Sequence, residues 1–212
     1  MTLIPNKIRR QIATLISIMP GNFLRVYLYR LLFHYQIENS VIGKGTCINV
    51  SHATISGCRI GKNNRFEGPV NITIDKGAKI GSNNTFQSGW WVAQANYQQS
   101  GYKRSLYIGK NSLITSNHYF DLAGSISLGD HSWIAGKDSQ FWTHGAGVTD
   151  RDISIGKNCY IGSAVCFSTG VTIADYSLVA IGSIVTKKFT NEYVLIAGNP
   201  AKVVKEDYVW SK

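Results

Sequence analysis

The sequence predicts an all-β fold, a solenoid of short strands stacked coil on coil, and three observations carry that prediction. Ile155, Ile161, Phe167, Ile173, Val179 and Val185 recur on a strict six-residue beat, each followed by a small residue (Gly156, Gly162, Ser168, Ala174, Ala180, Thr186). Period six is neither the 3.6 of a helix nor the 2 of a plain strand, and it fits strands that turn a corner every six residues. The same beat returns upstream, in Ile74, Ile80 and Phe86, in Ile108, Ile114 and Phe120, and in Leu128 and Ile134. Between the beats stand IGKN, IGSN and LGDH segments, whose Gly, Asn and Asp accept the positive φ of a tight corner. With 21 glycines, 11 tyrosines and 16% charged residues among 212, the composition suits an all-β repeat better than a helical fold.

The elements follow in order. Residues 6–36 read as two short amphipathic helices broken at Pro20-Gly21, with Ile8, Ile12, Leu15 and Ile16 on one face of the first. Leu24, Tyr27, Leu28, Leu31 and Leu32 share a face of the second. Residues 1–38 form a basic N-terminal unit, with Lys7, Arg9, Arg10, Arg25 and Arg30 against a single acid, Glu38. Two compatible roles are expected for it, a cap over the open first coil and a surface lying on the acidic inner leaflet of a membrane. The longest uncharged run, 11–24, contains Pro20 and Gly21 and is too short to span a bilayer. No signal-peptide cleavage pattern follows it, so the expected location is cytoplasmic or peripheral to the inner membrane face. The solenoid runs over 39–190, with inserted loops at 87–107 and 142–152, and residues 191–212 leave it as a tail. Cys47, Cys58, Cys159 and Cys166 make no C-x-x-C pair and no zinc spacing, and are read as reduced thiols. The net charge of +10 comes without any nucleic-acid-binding motif, which argues against nucleic acid as a partner.

The closing stretch ISIGKNCYIGSAVCFSTGVTIADYSLVAIGSIVTKKF (153–189), followed by AGNPAKVVKE (197–206), resembles the hexapeptide-repeat acyltransferases. Within that family it is most similar to the sugar and surface-polysaccharide O-acetyltransferases. The resemblance implies a left-handed parallel β-helix with three hexapeptides per coil, a homotrimer with sites between subunits, and acetyl-CoA as acyl donor.

It also implies roles for particular residues. His144, in the T-H-G-A-G loop before an IGKN corner, stands where the family places its catalytic base. Imidazole suits the removal of a hydroxyl proton near neutral pH. Asn117 and His118 fall where relatives hold the acceptor, and His131 belongs to the LGDH corner. Asp121, Asp150 and Asp152 are each able to fix the tautomer of the base. Gly162 and Ser163 would supply backbone donors for the oxyanion and line the donor site. Ile181, Gly182 and Thr186 would contact coenzyme A, with Lys187, Lys202 and Lys205 meeting its phosphates.

In the 87–107 loop, Trp90, Trp91, Tyr97 and Tyr102 beside Gln94, Asn96, Gln98 and Gln99 suit stacking on a sugar and hydrogen bonding to it. That loop and the N-terminal helices depart from the small sugar acetyltransferases and point to a larger or lipid-linked saccharide acceptor. Acetyl transfer to a hydroxyl of a cell-surface saccharide or its precursor is thus the leading expectation. N-acylation of an amino sugar and a non-catalytic scaffold are the alternatives. No metal is expected, because the spacings of His118, His131 and His144, 13 and 13, do not suit the zinc centre known on this fold.

Overall fold

The computed structural model describes residues 5–97 and 101–210. Ile155 pairs in parallel with Ile173, Ile161 with Val179 and Phe167 with Val185, each pair eighteen residues apart. Three beats therefore make one coil. All six side chains point inward and are at most 2% exposed.

Three internal files run the length of the core. One is Ile74, Ile108, Leu128, Ile155 and Ile173. A second is Ile60, Ile80, Ile114, Ile134, Ile161 and Val179. The third is aromatic. Phe66, Phe86, Phe120, Phe141 and Phe167 stack with centroids 4.4–4.8 Å apart and planes within 15°. That separation matches the spacing of hydrogen-bonded strands, so one phenylalanine per coil fills the file without a gap.

The corners explain the glycines and asparagines. Asn63, Asn83, Asn117 and Asp138 hold φ between 56° and 65° at one corner, and Asn111, His131 and Asn158 hold 53–59° at another. Close approach imposes glycine elsewhere: a Cβ on Gly129 would lie 2.5 Å from the carbonyl carbon of Gly156. Inside one corner runs a polar ladder in which each side chain accepts the backbone N–H of the next coil. The Thr46 hydroxyl accepts from Asn64, Asn64 Oδ1 from Asn84, Asn84 Oδ1 from His118, and His118 Nδ1 from Ser139.

Coil length locates the insertions. Ile134 pairs with Ile114 across 20 residues, but Ile114 pairs with Ile80 across 34, and Ile161 with Ile134 across 27. The two long coils contain the 87–107 and 142–152 loops. The first loop holds 3-10 turns at Trp90–Ala93 and Ala95–Tyr97, anchored by buried Val92. Gln98 and Gln99 lie outside the described residues.

Helices α1 (Asn6–Ile18) and α2 (Asn22–Phe33) cover the first coil. Their orientation adds what the shared aliphatic faces left open. Ile16 of the α1 stripe packs inward, but Ile8 and Leu15 face outward, as do Tyr27, Leu31 and Leu32 of α2; the buried residues of α2 are Arg25, Tyr29 and Phe33. The reason is the first coil itself, whose outer edge has no neighbouring coil to satisfy its peptide groups. The helices supply side-chain partners instead. Arg25 donates to the carbonyls of Ile42 and Met19, and Asn22 accepts from the N–H of Ile42. Tyr29 and Tyr35 accept from the N–H groups of Ile48 and Val50. A face that must bond a strand edge has to be polar-tipped, so part of the aliphatic stripe is left outside. Among the described residues, no helix is long and apolar enough to cross a membrane.

At the far end the strand Leu195–Gly198 continues the stack on Leu178–Val179, and Ala201–Lys205 folds back antiparallel to it. Trp210 then packs against Trp133 and Tyr160 and donates from its indole to the carbonyl of Asn158 at 2.7 Å.

Candidate active site

The strand Tyr119–Asp121 lies one coil before Gln140–Phe141, and the Phe120–Phe141 stack fixes their register. Asp121 therefore stands directly beneath the chain leaving Phe141, where Trp142, Thr143 and His144 follow. Its Oδ2 accepts from Thr143 N–H at 2.8 Å and lies 2.7 Å from His144 Nδ1. The Thr143 hydroxyl donates to Asp121 and accepts from the N–H of Gly124 at 2.8 Å. Gly124 leaves room there, since a Cβ would lie 3.0 Å from the Cβ of Thr143 and 3.1 Å from that of Arg151, tight contacts on both sides.

Asp121 is almost wholly buried, whereas the His144 side chain is 42% exposed. A carboxylate facing Nδ1 holds the proton on that nitrogen and leaves the Nε2 lone pair toward solvent. Of the three aspartates left open by the sequence, the structure joins Asp121 to the histidine. Asp152 pairs with Lys103 and accepts from Ser125 N–H, and Asp150 pairs with Lys188 at 2.8 Å.

The 87–107 loop brings Trp91 to this histidine, with ring centroids 6.2 Å apart and planes at 70°. Trp91 also meets Tyr97 and Tyr102 edge to face, at 4.9 and 5.6 Å. Arg151, buried at the end of the 142–152 loop, sets its guanidinium 4.3 Å from the Tyr102 ring centre, tying the two loops together. Trp90 is half-buried and has no ring contact among the described residues, and Gln94 and Asn96 are exposed. Arg151 and Thr143 escaped the sequence reading. A lone Arg in a T-D-R-D stretch looks like a solvated charge until Tyr102 is placed above it.

His118 lies apart from this cluster. Its ring is 2% exposed; Nδ1 accepts from Ser139 N–H at 3.1 Å and Nε2 donates to the Thr115 hydroxyl at 2.9 Å. Both nitrogens are occupied, and desolvation lowers the pKa to about 4 despite Asp138. In place of the expected acceptor contact, His118 does the work of an asparagine in the corner ladder. Asn117 is exposed at the adjacent positive-φ corner, and His131 occupies another.

The expected donor-site residues gather toward the C-terminal end. Gly162 abuts Ile181, where a Cβ would lie 2.7 Å from the Ile181 nitrogen, and Gly182 donates to the Ser163 carbonyl at 2.9 Å. The Gly162 N–H, however, donates to Val179 O at 2.9 Å, so it is not available to an oxyanion. The Ile181 side chain is 73% exposed. Lys187 and Val203 line a cavity of about 180 Å³ with Val194, and Thr186, Lys202 and Lys205 lie exposed nearby in sequence on the same closing segments. The Asp150–Lys188 pair links the His144 loop to this segment.

No family model matches the chain. Over 125 residues it is 31% identical to galactoside O-acetyltransferase of Escherichia coli (strain K12), covering 55% of this chain and 60% of that enzyme. The chain thus spans less than two thirds of that relative. Among solved structures, the polysialic acid O-acetyltransferase OatWY matches 84% of this chain and 87% of its own at TM-score 0.62 and 22% identity. The polySia-specific acetyltransferase NeuO matches 84% of each chain at TM-score 0.56 and 22% identity. In its sequence relatives and in its fold, the chain resembles the hexapeptide-repeat O-acetyltransferases.

Proposed function

We propose that this protein transfers an acetyl group from acetyl-CoA to a hydroxyl of a saccharide, of the kind carried at the cell surface or on its precursors. The observation that carries the proposal is the buried Asp121 beneath His144, with Nε2 left outward beside Trp91. Relatives and structural neighbours that act on saccharides support the acceptor class. The coils in this reading are left-handed, the assembly is a homotrimer, and the site lies between subunits.

His144 Nε2 removes the acceptor hydroxyl proton as the oxygen attacks the thioester carbonyl. A C–O bond forms, and the imidazolium is stabilised by Asp121. The tetrahedral adduct then collapses, the C–S bond breaks, and the proton on Nε2 passes to the departing thiolate. No covalent acyl-enzyme is required. Trp91, with Trp90 at its side, provides an aromatic wall for the sugar ring, and Asn117 lies at the outer edge of the acceptor path. Ser163, Ile181, Gly182 and Thr186 contact the donor alongside the Gly162 corner, and Lys187, Lys202 and Lys205 meet its phosphates.

Calorimetric titration of acetyl-CoA into the wild type and into a Lys187→Ala, Lys205→Ala double variant tests the donor site. Micromolar binding that weakens at least about tenfold in the variant is expected, since each ion contact contributes about 1 kcal/mol. Absence of binding to the wild type would overturn the assignment.

A further inference from the structure

We infer that the outer face of the N-terminal helix pair is a docking surface for a bilayer with anionic headgroups. Because the cap meets the first coil partly with polar groups, part of its apolar surface stands in solvent. Phe23 is 82% exposed, Leu15 56%, Leu31 53%, Ile18 52% and Tyr27 50%. Phe23, Tyr27 and Leu31 are four residues apart on α2, so they form one ridge, and the Phe23 and Tyr27 rings stack at 6.2 Å. Scattered exposed apolar residues are ordinary, but a continuous ridge of this kind marks an interaction site.

Charge decides the occupant. Of the five Lys and Arg in residues 1–38, Arg25 is buried against Ile42 and Met19 and Arg9 is turned to Val50, Tyr35 and Asn49. That leaves Lys7, Arg10 and Arg30 exposed, with Arg30 flanking the ridge one turn after Tyr27. Arg30 makes no ion pair among the described residues. Two adjoining open grooves of about 570 and 430 Å³ separate α2 from the first coil, and Tyr27, Arg30, Ile37 and Glu38 line both. A cation at the mouth of a groove with tyrosine and aliphatic walls suits a phosphate headgroup above acyl chains. Glu38 is the one opposing charge on the lining, and Arg10 pairs with Glu67 at 3.5 Å, so the preference for anionic over neutral lipid rests on Arg30 and Lys7 rather than on a closed pocket. The inference does not depend on acetyl transfer, and its failure would leave that reading intact.

Flotation of the full chain with phosphatidylcholine vesicles, prepared with and without phosphatidylglycerol, tests it directly. The chain is expected to float with the anionic vesicles and to be released by salt. Phe23→Ser with Leu31→Ser should lower the bound fraction by about tenfold or more, because two anchors leave the acyl boundary. Arg30→Gln should lower it about fivefold, the effect of one surface charge. Val209→Ser, which removes an equally exposed apolar residue from the C-terminal tail, should change nothing. The substituted side chains are exposed, so unchanged thermal unfolding is expected throughout. Failure of the wild type to float, or flotation undiminished in the double variant, would overturn the inference. So would an oligomer in solution that the double variant dissociates while the wild type ignores vesicles, since the ridge would then join copies of the chain.

Discussion

Replacing Asp121 with asparagine removes one charge from beneath His144 and changes almost no volume. In the wild type a single oxygen, Oδ2, accepts from Thr143 N–H and faces His144 Nδ1 at 2.7 Å. The asparagine has two orientations, and both harm the base. With its oxygen in the Oδ2 position, the bond to Nδ1–H persists, but the imidazolium formed during attack loses its counter-charge. With its NH₂ there, two donors meet at Thr143, and Nδ1 is driven to accept, which moves the histidine proton to Nε2. A charge-assisted hydrogen bond contributes about 1.5–3 kcal/mol, and burial places this one toward the upper end. At about 1.4 kcal/mol per factor of ten, kcat should fall roughly 100-fold, while the KM for acetyl-CoA moves by less than about twofold. Release of the coenzyme A thiol in the presence of an accepted saccharide gives both constants. Nitrogen chemical shifts of His144 report the tautomer independently, with Nδ1–H expected in the wild type. An Asp121→Asn protein that folds normally and keeps full kcat would refute the role given to the pair.

Three further outcomes follow from the same structure. The buried His118 has its folded pKa depressed to about 4, against about 6.5 unfolded, so protons bind the unfolded chain first. Stability is complete above about pH 6.5 and falls as pH drops from there toward 4, by on the order of 3 kcal/mol. His118→Asn retains the ladder acceptor used at Asn64 and Asn84, and should remove that slope from urea-unfolding midpoints measured across pH. Phe120→Ala opens the middle of the aromatic file and should cost about 3–5 kcal/mol, read from denaturant unfolding; a cost below about 1 kcal/mol would mean that the stack is not a packed unit. Trp91→Ala should raise the KM for the saccharide about tenfold with little change in the KM for acetyl-CoA, and equal effects on both would place Trp91 outside the acceptor site.

The solenoid was legible because its packing rule is local. An inward residue every sixth position, with a positive-φ corner between, is written into Ile155–Gly156 and its successors and requires no knowledge of distant partners. The loops were legible as interruptions of the beat, and His144 through its T-H-G-A-G setting. What remained hidden depends on stacking between coils. Asp121 reaches His144 only because coil stacking sets Phe120 on Phe141, a register that the interrupted beat does not reveal. His118 in TSNHYFD reads as an acceptor contact, yet its place in a file behind Asn64 and Asn84 makes it a backbone partner. Which helix face turns inward was hidden for a related reason. Periodicity groups aliphatic residues on one face without saying what that face meets, and the first coil needed Arg25, Tyr29 and Asn22 to complete its peptide hydrogen bonds.

The central claim is that His144 is the base for acetyl transfer to a saccharide hydroxyl. The direct measurement is incorporation of labelled acetyl from acetyl-CoA into a panel of oligosaccharides, with wild type and His144→Ala compared at equal coenzyme A occupancy. Labelled O-acetyl product with the wild type, and a rate reduced at least about 100-fold with the variant, is the expected result. Equal incorporation by both proteins would contradict the assignment of His144, and none by the wild type across the panel, despite bound acetyl-CoA, would contradict saccharide acetylation.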